Sequence, residues 1–286
     1  KTHREKLKEL KKNDASEEDI EHLEALIKDE LNAGTSLLRQ TIYSYPELDQ
    51  IDEVLFLLAN FEQENDAQQR AIDRYRELLA GYPSSVRAPE AQYKMAQCFE
   101  ELDKYTEAWD SYVRLAYRWP EHDLVADSMA RIGNYYEQRG KAALAAAREA
   151  WQKSTGAKEE FEIPKEARAD LLQAEKVYGQ LVKNYGDRDI APAILLKQGN
   201  CWWLLGGYLE AAKVFSSFKS RFPESPYLPT SLYWAGRAEL ESGNVRSAYL
   251  TLGTLIRDFP ETQDAKRARG LMISDQRLAN FSFVEH

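Results

Sequence analysis

Small and bulky apolar residues recur along this chain at a fixed spacing. A small residue is followed twelve positions later by an alanine, and in most cases a large apolar group stands four positions after that alanine. Two antiparallel helices approach closely where one presents a small residue and a large side chain fills the adjacent hole. The pattern therefore predicts a series of helical hairpins. The small residues are Ala59, Ala96, Gly133, Gly199 and Gly236, the alanines are Ala71, Ala108, Ala145, Ala211 and Ala248, and the bulky groups are Tyr75, Tyr112, Phe215 and Leu252.

An aromatic residue followed by proline marks the end of nearly every predicted hairpin. Positions 46, 83 and 120, and again 186, 223 and 260, are 37 residues apart, with Gly186 in the place of one proline. A period of this size indicates a solenoid of stacked units. Proline ends the second helix because it lacks the backbone N–H donor. The pairs are Tyr45-Pro46, Tyr82-Pro83, Trp119-Pro120, Phe222-Pro223 and Phe259-Pro260.

Turn-forming or polar pairs separate the two helices of each predicted hairpin. Glycine adopts the left-handed conformation that ends a helix without steric cost, so both ends of each helix are specified locally. The predicted turns are Asn65-Asp66, Asp103-Lys104, Arg139-Gly140, Gly206-Gly207 and Gly243-Asn244.

The spacing small-x11-Ala-x3-aromatic-x7-Pro, as in Ala96, Ala108, Tyr112 and Pro120, resembles the tetratricopeptide repeat (TPR), whose unit has about 34 residues. The resemblance extends over residues 46–270 and implies an all-α, right-handed superhelical solenoid of antiparallel helix hairpins. The three additional residues of each unit follow the proline. This longer spacer resembles the repeats of bacterial envelope TPR proteins, namely the lipoprotein of outer-membrane β-barrel assembly and the Tol-Pal coordinator. It implies a periplasmic or outer-membrane-associated protein, and a cytoplasmic location stays open.

The period divides the chain into five predicted segments. In residues 1–45, a helix beginning at Ser16 is expected to pack on Leu37, Leu38, Ile42 and Tyr45 as a degenerate leading unit. Residues 1–15 are rich in lysine, which indicates a solvated helix or a basic docking segment. The remaining segments are TPR units 1–3 at 46–155, an irregular inserted hairpin and loop at 156–186, TPR units 4–5 at 187–270, and a C-terminal tail at 271–286.

The period fails between Pro120 and Gly186, which are 66 residues apart. We interpret residues 141–154 and 165–184 as the arms of an extra or shortened hairpin, joined by a protruding loop at 155–164. Ala174 and Tyr178 fall where a second helix should have them. The loop is either a lengthened surface loop without consequence or a partner-specific feature carrying Phe161 and Ile163.

The composition argues against several functions. With 38 basic and 47 acidic residues among 286, the net charge of −9 repels phosphate backbones, so nucleic acid is not expected as a partner. No run of 18 apolar residues predicts a membrane span. The chain opens Lys1-Thr2-His3 without a methionine, which indicates an excised fragment, so an upstream lipid anchor or export signal stays possible.

No catalytic, cofactor or metal site is predicted. His3, His22, His122 and His286 do not stand at metal-ligand spacing, and no glycine-rich phosphate loop occurs. Cys98 and Cys201 share a register two residues after the small position and are expected to be reduced core residues. The question becomes which surface binds a partner.

The first helices of such an array line a concave groove, which we expect to bind a protein or peptide, possibly a basic one. Amides would hydrogen-bond an extended backbone, rings would give apolar contact, and acids would attract cations, although a merely solvated helix face is the alternative. The candidate residues are Asn60, Gln97, Asn134, Asn200 and Arg237 one position after the small residue, the rings Phe56, Tyr93, Tyr233 and Trp203, and the acids Glu90, Glu101 and Asp127.

Two further expectations concern the type of groove. TPR domains that grip C-terminal carboxylates resemble one another in using groove lysines, and Phe56 and Tyr93 occupy the turn where a lysine would be expected. No carboxylate clamp is therefore predicted. The alternative function is a peptide- or glycan-binding module of a larger exported enzyme or secretion machine, with Tyr233 and Trp203 as stacking platforms.

Overall fold

The computed structural model describes residues 3–12, 16–155 and 161–284, and within these the chain is helical without strands. It forms two compact units, Lys1–Ser128 and Met129–His286, within which successive helices pack on one another. The first unit contains α1 (His3–Lys12), α2 (Glu17–Ser44), α3 (Ile51–Glu64), α4 (Gln68–Gly81), α5 (Ala88–Glu101), α6 (Tyr105–Arg118) and the first residues of α7 (Leu124–Thr155). The second contains the rest of α7, α8 (Lys165–Asn184), α9 (Ala191–Leu204), α10 (Tyr208–Arg221), α11 (Leu228–Glu241), α12 (Val245–Asp258), α13 (Gln263–Ser274) and α14 (Gln276–Val284).

The predicted small-to-large contacts hold the hairpins together. A Cβ atom on Gly199 would lie 2.4 Å from the ring of Phe215, and one on Gly236 would lie 2.6 Å from Leu252. Such distances leave no room for any side chain, so glycine is required at these close approaches. In the first unit Ala59 and Ala96 are completely buried, as are the alanine and ring positions that face them.

Four of the five predicted turns are confirmed. Asp66, Asp103, Gly206 and Gly243 all adopt positive φ, of 54°, 56°, 72° and 86°, directly after the first helix of their hairpins. A positive φ reverses the chain after a helix, and glycine reaches it without the strain that a Cβ atom adds.

The fifth predicted turn, Arg139-Gly140, is wrong. Helix α7, which is 32 residues long, continues through these two positions without a break. A Cβ atom on Gly140 would lie 2.8 Å from the side chain of Leu171, so this glycine permits close packing against α8 instead of ending a helix. The alanine-rich sequence after it has high helix propensity and prolongs α7.

The interrupted region is therefore one long hairpin, because residues 141–154 extend α7 and do not form a separate arm. The second arm is confirmed as α8, and Tyr178 lies against Gly133, where a Cβ atom would be 2.4 Å from its ring. Ala145 is exposed, so it is not a repeat position, and the fully buried Ala174 takes that role.

Both ends of the chain also differ from the prediction. Helix α2 runs unbroken for 28 residues, with Leu37 and Tyr45 about two-thirds exposed, so residues 16–45 do not fold back as a hairpin. A Cβ atom on Gly34 would lie 3.1 Å from the ring of Phe61, so this glycine lets α2 pack closely on α3. The segment expected as a C-terminal tail includes α14, which packs on α12 and α13 and buries Leu278 completely. Of the predicted N-terminal basic segment, interrupting loop and C-terminal tail, residues 1–2, 13–15, 156–160 and 285–286 lie outside the described residues.

Candidate functional site

The predicted groove residues lie on one face of each first helix, which we call the groove face. Its polar members are half-buried and reach solvent: Asn60, Gln97, Asn134, Asn200 and Arg237. Of the four rings, Tyr93, Tyr233 and Trp203 are also half-buried. Phe56 is only 4% exposed, however, so it adds little surface for a partner.

Tyrosine hydroxyls from the second helices emerge on this face and bond its amides. Tyr75 donates to Oδ1 of Asn60 at 2.8 Å, and Tyr178 donates to Oδ1 of Asn134 at the same distance. Burial raises the pKa of both tyrosines, so they remain protonated donors. Because the amide oxygens are occupied, the NH₂ groups are what Asn60 and Asn134 can present to a partner.

The acidic wall in the first unit is partly neutralised by Arg87, which the sequence reasoning did not single out. Its guanidinium donates two hydrogen bonds to Glu53, of 2.6 and 3.0 Å, and one to Glu90 of 3.1 Å. It also lies 5.1 Å from the centre of the Phe56 ring, which explains why that ring is covered. Arg87 directly precedes α5 and stands 34 residues after Glu53, close to the repeat period, and that spacing was the available signal.

The other candidate acids are arranged differently. Glu101 accepts a hydrogen bond from the amide of Gln63 at 3.2 Å, which links α5 to α3. Asp127 lies half-buried in the first turn of α7. Within the described ranges neither carboxylate forms an ion pair, so these two residues remain the less neutralised part of the wall.

A cavity of about 360 Å³ opens on the groove face of α5. Four residues of α5 line it, and the opposite side is formed by the segment that leads into α7. Tyr93 is held in place because its ring meets that of Tyr112 edge-on, with centroids 5.5 Å apart. The lining combines an aromatic ring, an amide and charges of both signs: Glu90, Tyr93, Lys94, Gln97, His122, Asp123 and Leu124.

The second unit carries a buried charge network on its first groove-facing helix. Glu137 is 2% exposed, forms an ion pair with Lys141, and accepts hydrogen bonds from Tyr178 at 2.7 Å and Lys197 at 3.1 Å. Burial by itself would raise the pKa of Glu137, but the hydrogen bonds from Lys141 and Tyr178 and the charge of Lys197 leave it lowered. Lys197 also donates to Asn134 at 2.8 Å, so α9 is tied to α7 through this network.

An aromatic cluster occupies the groove face farther along the second unit. Trp203 meets Tyr208 and Trp234 edge-on, with centroids 5.0 and 5.1 Å apart, and Tyr233 meets Trp234 at 5.7 Å. Arg237 covers Trp203 at 4.9 Å and Trp234 at 5.5 Å. The cluster presents a cation on aromatic faces, which is a favourable arrangement because the ring faces are electronegative.

Phe161, in the loop that precedes α8, lies against α7. The Phe161 ring meets Trp151 edge-on at 5.7 Å, and Arg148 lies 5.5 Å from the same ring. Phe161 and Ile163 are both half-buried. Because Phe161 already packs on Trp151 and Arg148, less of its ring is available to a partner than the sequence analysis predicted.

The described residues offer little for covalent chemistry. Cys98 and Cys201 are buried and free, and burial raises the pKa of each thiol to about 12, far from the reactive thiolate. Within the described ranges, no three His, Cys, Asp or Glu side chains are grouped to hold a metal ion. None of the helices in this part of the chain combines the length and apolarity needed to cross a bilayer.

Residues 90–122, 193–225 and 230–262 each match the family model described as tetratricopeptide repeat. Among solved structures, the chain is similar to YrrB, described as a TPR protein with an unusual peptide-binding site, at 18% identity and a TM-score of 0.50, covering 82% of this chain and 98% of that one. It is also similar to MamA from Desulfovibrio magneticus RS-1, at 10% identity and a TM-score of 0.47, covering 76% and 98% of the two chains. No significant match was found among curated proteins.

At these identities the likeness concerns the fold alone, and the fold is that of a TPR solenoid. The repeat matches coincide with hairpins whose small-to-large contacts are described above. A TPR fold generally serves as a noncatalytic scaffold for protein–protein interaction.

Proposed function

We propose that the groove face binds an extended segment of a partner protein and that the chain acts as a noncatalytic scaffold. The observation that carries this proposal is the 360 Å³ cavity beside α5, where Tyr93 and Gln97 converge with the segment before α7. Gln97 makes no hydrogen bond to another described residue, so its amide is available to a peptide backbone. Tyr93 supplies apolar contact next to it.

We propose a basic segment as the ligand of the first unit. Glu90 and Asp123 line the cavity together with Lys94, while Glu101 lies at the end of α5 and Asp127 in the first turn of α7. The pairing of Arg87 with Glu53 and Glu90 reduces the negative charge expected from the sequence. Charge should therefore contribute modestly to affinity, with ring and amide contacts supplying the rest.

The second unit supports a second contact region of the same kind. Arg237 makes no ion pair with any described carboxylate and stands on the rings of Trp203 and Trp234. This arrangement suits a peptide with an acidic or carbonyl-rich stretch. A glycan site would need an open ring face, and Arg237 covers one face of Trp203, so the peptide is the better supported ligand.

We also propose a place in a bacterial cell-envelope complex, in the periplasm or at the outer membrane. The support is the long spacer after each proline. In the structure its serines have a local role, because Ser85 accepts a hydrogen bond from the backbone of Arg87 at 3.0 Å and Ser225 accepts one from Tyr227 at 3.3 Å. Fractionation of the native host with an antibody against the chain tests this placement, and recovery solely in the cytoplasm would contradict it.

Site-specific photo-crosslinking tests the binding surface. A photoreactive residue at Gln97 should capture a partner in the native host, whereas the same residue at Tyr43, which is 89% exposed on α2, should not. Tyr93→Ala should then reduce the crosslink at position 97 without changing the folded helix content. Equal capture at both positions, or capture at position 43 alone, would move the contact away from the groove face.

A further inference from the structure

A second, larger cavity of about 880 Å³ lies in the first unit between α4, α5 and α6. Its α5 residues are Gln92, Met95 and Phe99, which point to a different side of that helix from Tyr93 and Gln97 because consecutive residues are about 100° apart. The cavity is therefore separate from the groove face. Its apolar lining is Leu79, Ala80, Met95 and Phe99, and its charged lining is Arg76, Glu107, Asp110, Arg114 and Arg118.

Gln92 is the unusual residue in this cavity. It is 5% exposed, and its Nε2 atom has no hydrogen-bond partner among the described residues. The same repeat position, four residues before the small residue, is apolar in every other unit: Leu55, Met129, Leu195 and Leu232. A buried amide without a partner lowers stability, whereas leucine would fill this position in keeping with the repeat. An unpaired donor at an otherwise apolar position indicates that something outside the described chain accepts its hydrogen bond.

The charges around the cavity leave one of its three arginines without an ion pair among the described residues. Arg114 is paired with Asp110 at 2.7 Å, and Arg76 is paired with Asp73 at 3.6 Å. Arg118 lies over the ring of Trp119 and makes no ion pair with a described carboxylate. At the equivalent positions of the second unit, 140 residues later, Arg76, Arg114 and Arg118 are replaced by Ser216, Thr254 and Asp258. The cationic lining is thus particular to the first unit.

We propose that this cavity binds an extended, largely apolar peptide segment of a partner protein, with a backbone carbonyl accepting from Gln92 and an acidic side chain pairing with Arg118. An extended segment is favoured over a helix because the carbonyls in a helix interior are already hydrogen-bonded. Residues from Thr106 to Arg118 of α6 line the cavity, a length of about 18 Å at about 1.5 Å per residue. This length accommodates about five residues of extended chain at about 3.3 Å each.

The substitution Gln92→Leu tests the proposal with two opposed readouts. Because it installs the residue that other repeats use, it should raise the melting temperature by a few degrees. Peptides selected from a random phage-displayed library on the whole immobilised chain, then synthesised with a fluorescent label, should include apolar sequences with an Asp or Glu. Their affinity should fall at least tenfold for Gln92→Leu and for Arg118→Glu, and should not change for the exposed-loop control Glu121→Ala.

Several outcomes would overturn this inference. A lower melting temperature for Gln92→Leu would show that the amide has a structural partner. Selected peptides that keep their affinity for Gln92→Leu but lose it for Tyr93→Ala would bind the groove face, which supports the proposed function and rejects the second site. Recovery of no acidic apolar peptide would reject it as well. If Arg118→Glu instead lowered the particle mass measured by light scattering, the occupant would be a second copy of the chain and not a peptide.

Discussion

The hairpins of the first unit and those at the end of the second share one packing arrangement but present different groove faces. In the first unit the large residue is Tyr75 or Tyr112, and its hydroxyl bonds a polar side chain of the first helix. At the end of the second unit Phe215 and Leu252 fill the same hole without a hydroxyl. Four positions after the small residue stand Trp203, which is half-buried on the groove face, and Leu240, which is 1% exposed. The hydroxyl on the core residue is thus present where the adjacent first-helix position is polar, and absent where that position is apolar.

The exposure and bonding of a groove residue therefore depend on the core residue beneath it. Asn60 and Asn134 serve both the surface and the core, because each accepts a hydrogen bond from a buried tyrosine. They are half-buried and not simply exposed, so replacing them should affect stability as well as binding. Gln97 has no such bond from Tyr112, which makes it the cleaner position for testing a partner contact.

The largest expected effect concerns the packing of a large core residue, which the two regions share. Truncating the large core residue, by Tyr112→Ala in one region and Phe215→Ala in the other, should cost about 3–5 kcal/mol in each, because both side chains are 1% exposed and leave a cavity. Urea unfolding followed by circular dichroism measures this loss. A loss below about 1 kcal/mol in either variant would show that the packing arrangement is not shared.

The next effect distinguishes a repeat position from a residue that only matches the pattern. Ala108→Leu should cost about 1–3 kcal/mol because Ala108 is 2% exposed against the first helix of its hairpin. The matched control is Ala145→Leu, at an exposed position of α7, and should change stability by less than about 0.5 kcal/mol. If both variants lost the same free energy of unfolding, Ala145 would be a repeat position like Ala108.

A smaller effect separates the two regions directly. Tyr75→Phe should cost about 0.5–1.5 kcal/mol because Asn60 and Gln63 lose their donor. The reverse change, Phe215→Tyr, should also destabilise, since its hydroxyl would enter the aromatic side of the groove near Trp234. If Phe215→Tyr were neutral or stabilising by the same unfolding assay, the aromatic groove would tolerate a hydroxyl and the contrast would disappear.

The smallest expected effect is the pH dependence of the charge network, which only the second unit contains. The pKa of Glu137 is lowered from its ordinary value of 4.5, so its contribution to stability is present above pH 4.5 and is lost as the pH falls through the lower folded-state pKa. The stability difference between the wild type and Glu137→Gln should therefore be constant at neutral pH and shrink below pH 4.5. A difference that grows on acidification would give the opposite sign and refute the assigned pKa direction.

Much of the fold could be predicted because its determinants are local and periodic. The small residues, four of the five alanines, four turns and α8 were all identified from spacing, since each depends on residues within one hairpin. The failed turn at Arg139-Gly140 has another cause. Gly140 permits close packing against Leu171, and a glycine that packs closely cannot be distinguished from one that ends a helix until its neighbour is known.

The candidate site was less predictable from sequence. Spacing placed the amides and rings on the groove face, but it could not show that Arg87 neutralises Glu53 and Glu90 or that tyrosine hydroxyls occupy the amide oxygens. The same applies to Gln92, whose departure from the apolar repeat position is visible in the sequence although its unpaired amide and its cavity are not.

The sequence by itself thus determined the hairpin repeat, because a small residue, an alanine and a ring at fixed spacing allow close helix packing wherever they occur. Three other properties became known only from the folded chain: which charges remain unpaired, which amides keep a free donor and which helices continue past a glycine. These properties depend on contacts between residues about one repeat or more apart, such as Glu53 with Arg87 or Asn134 with Lys197, and such contacts form only when neighbouring hairpins stack.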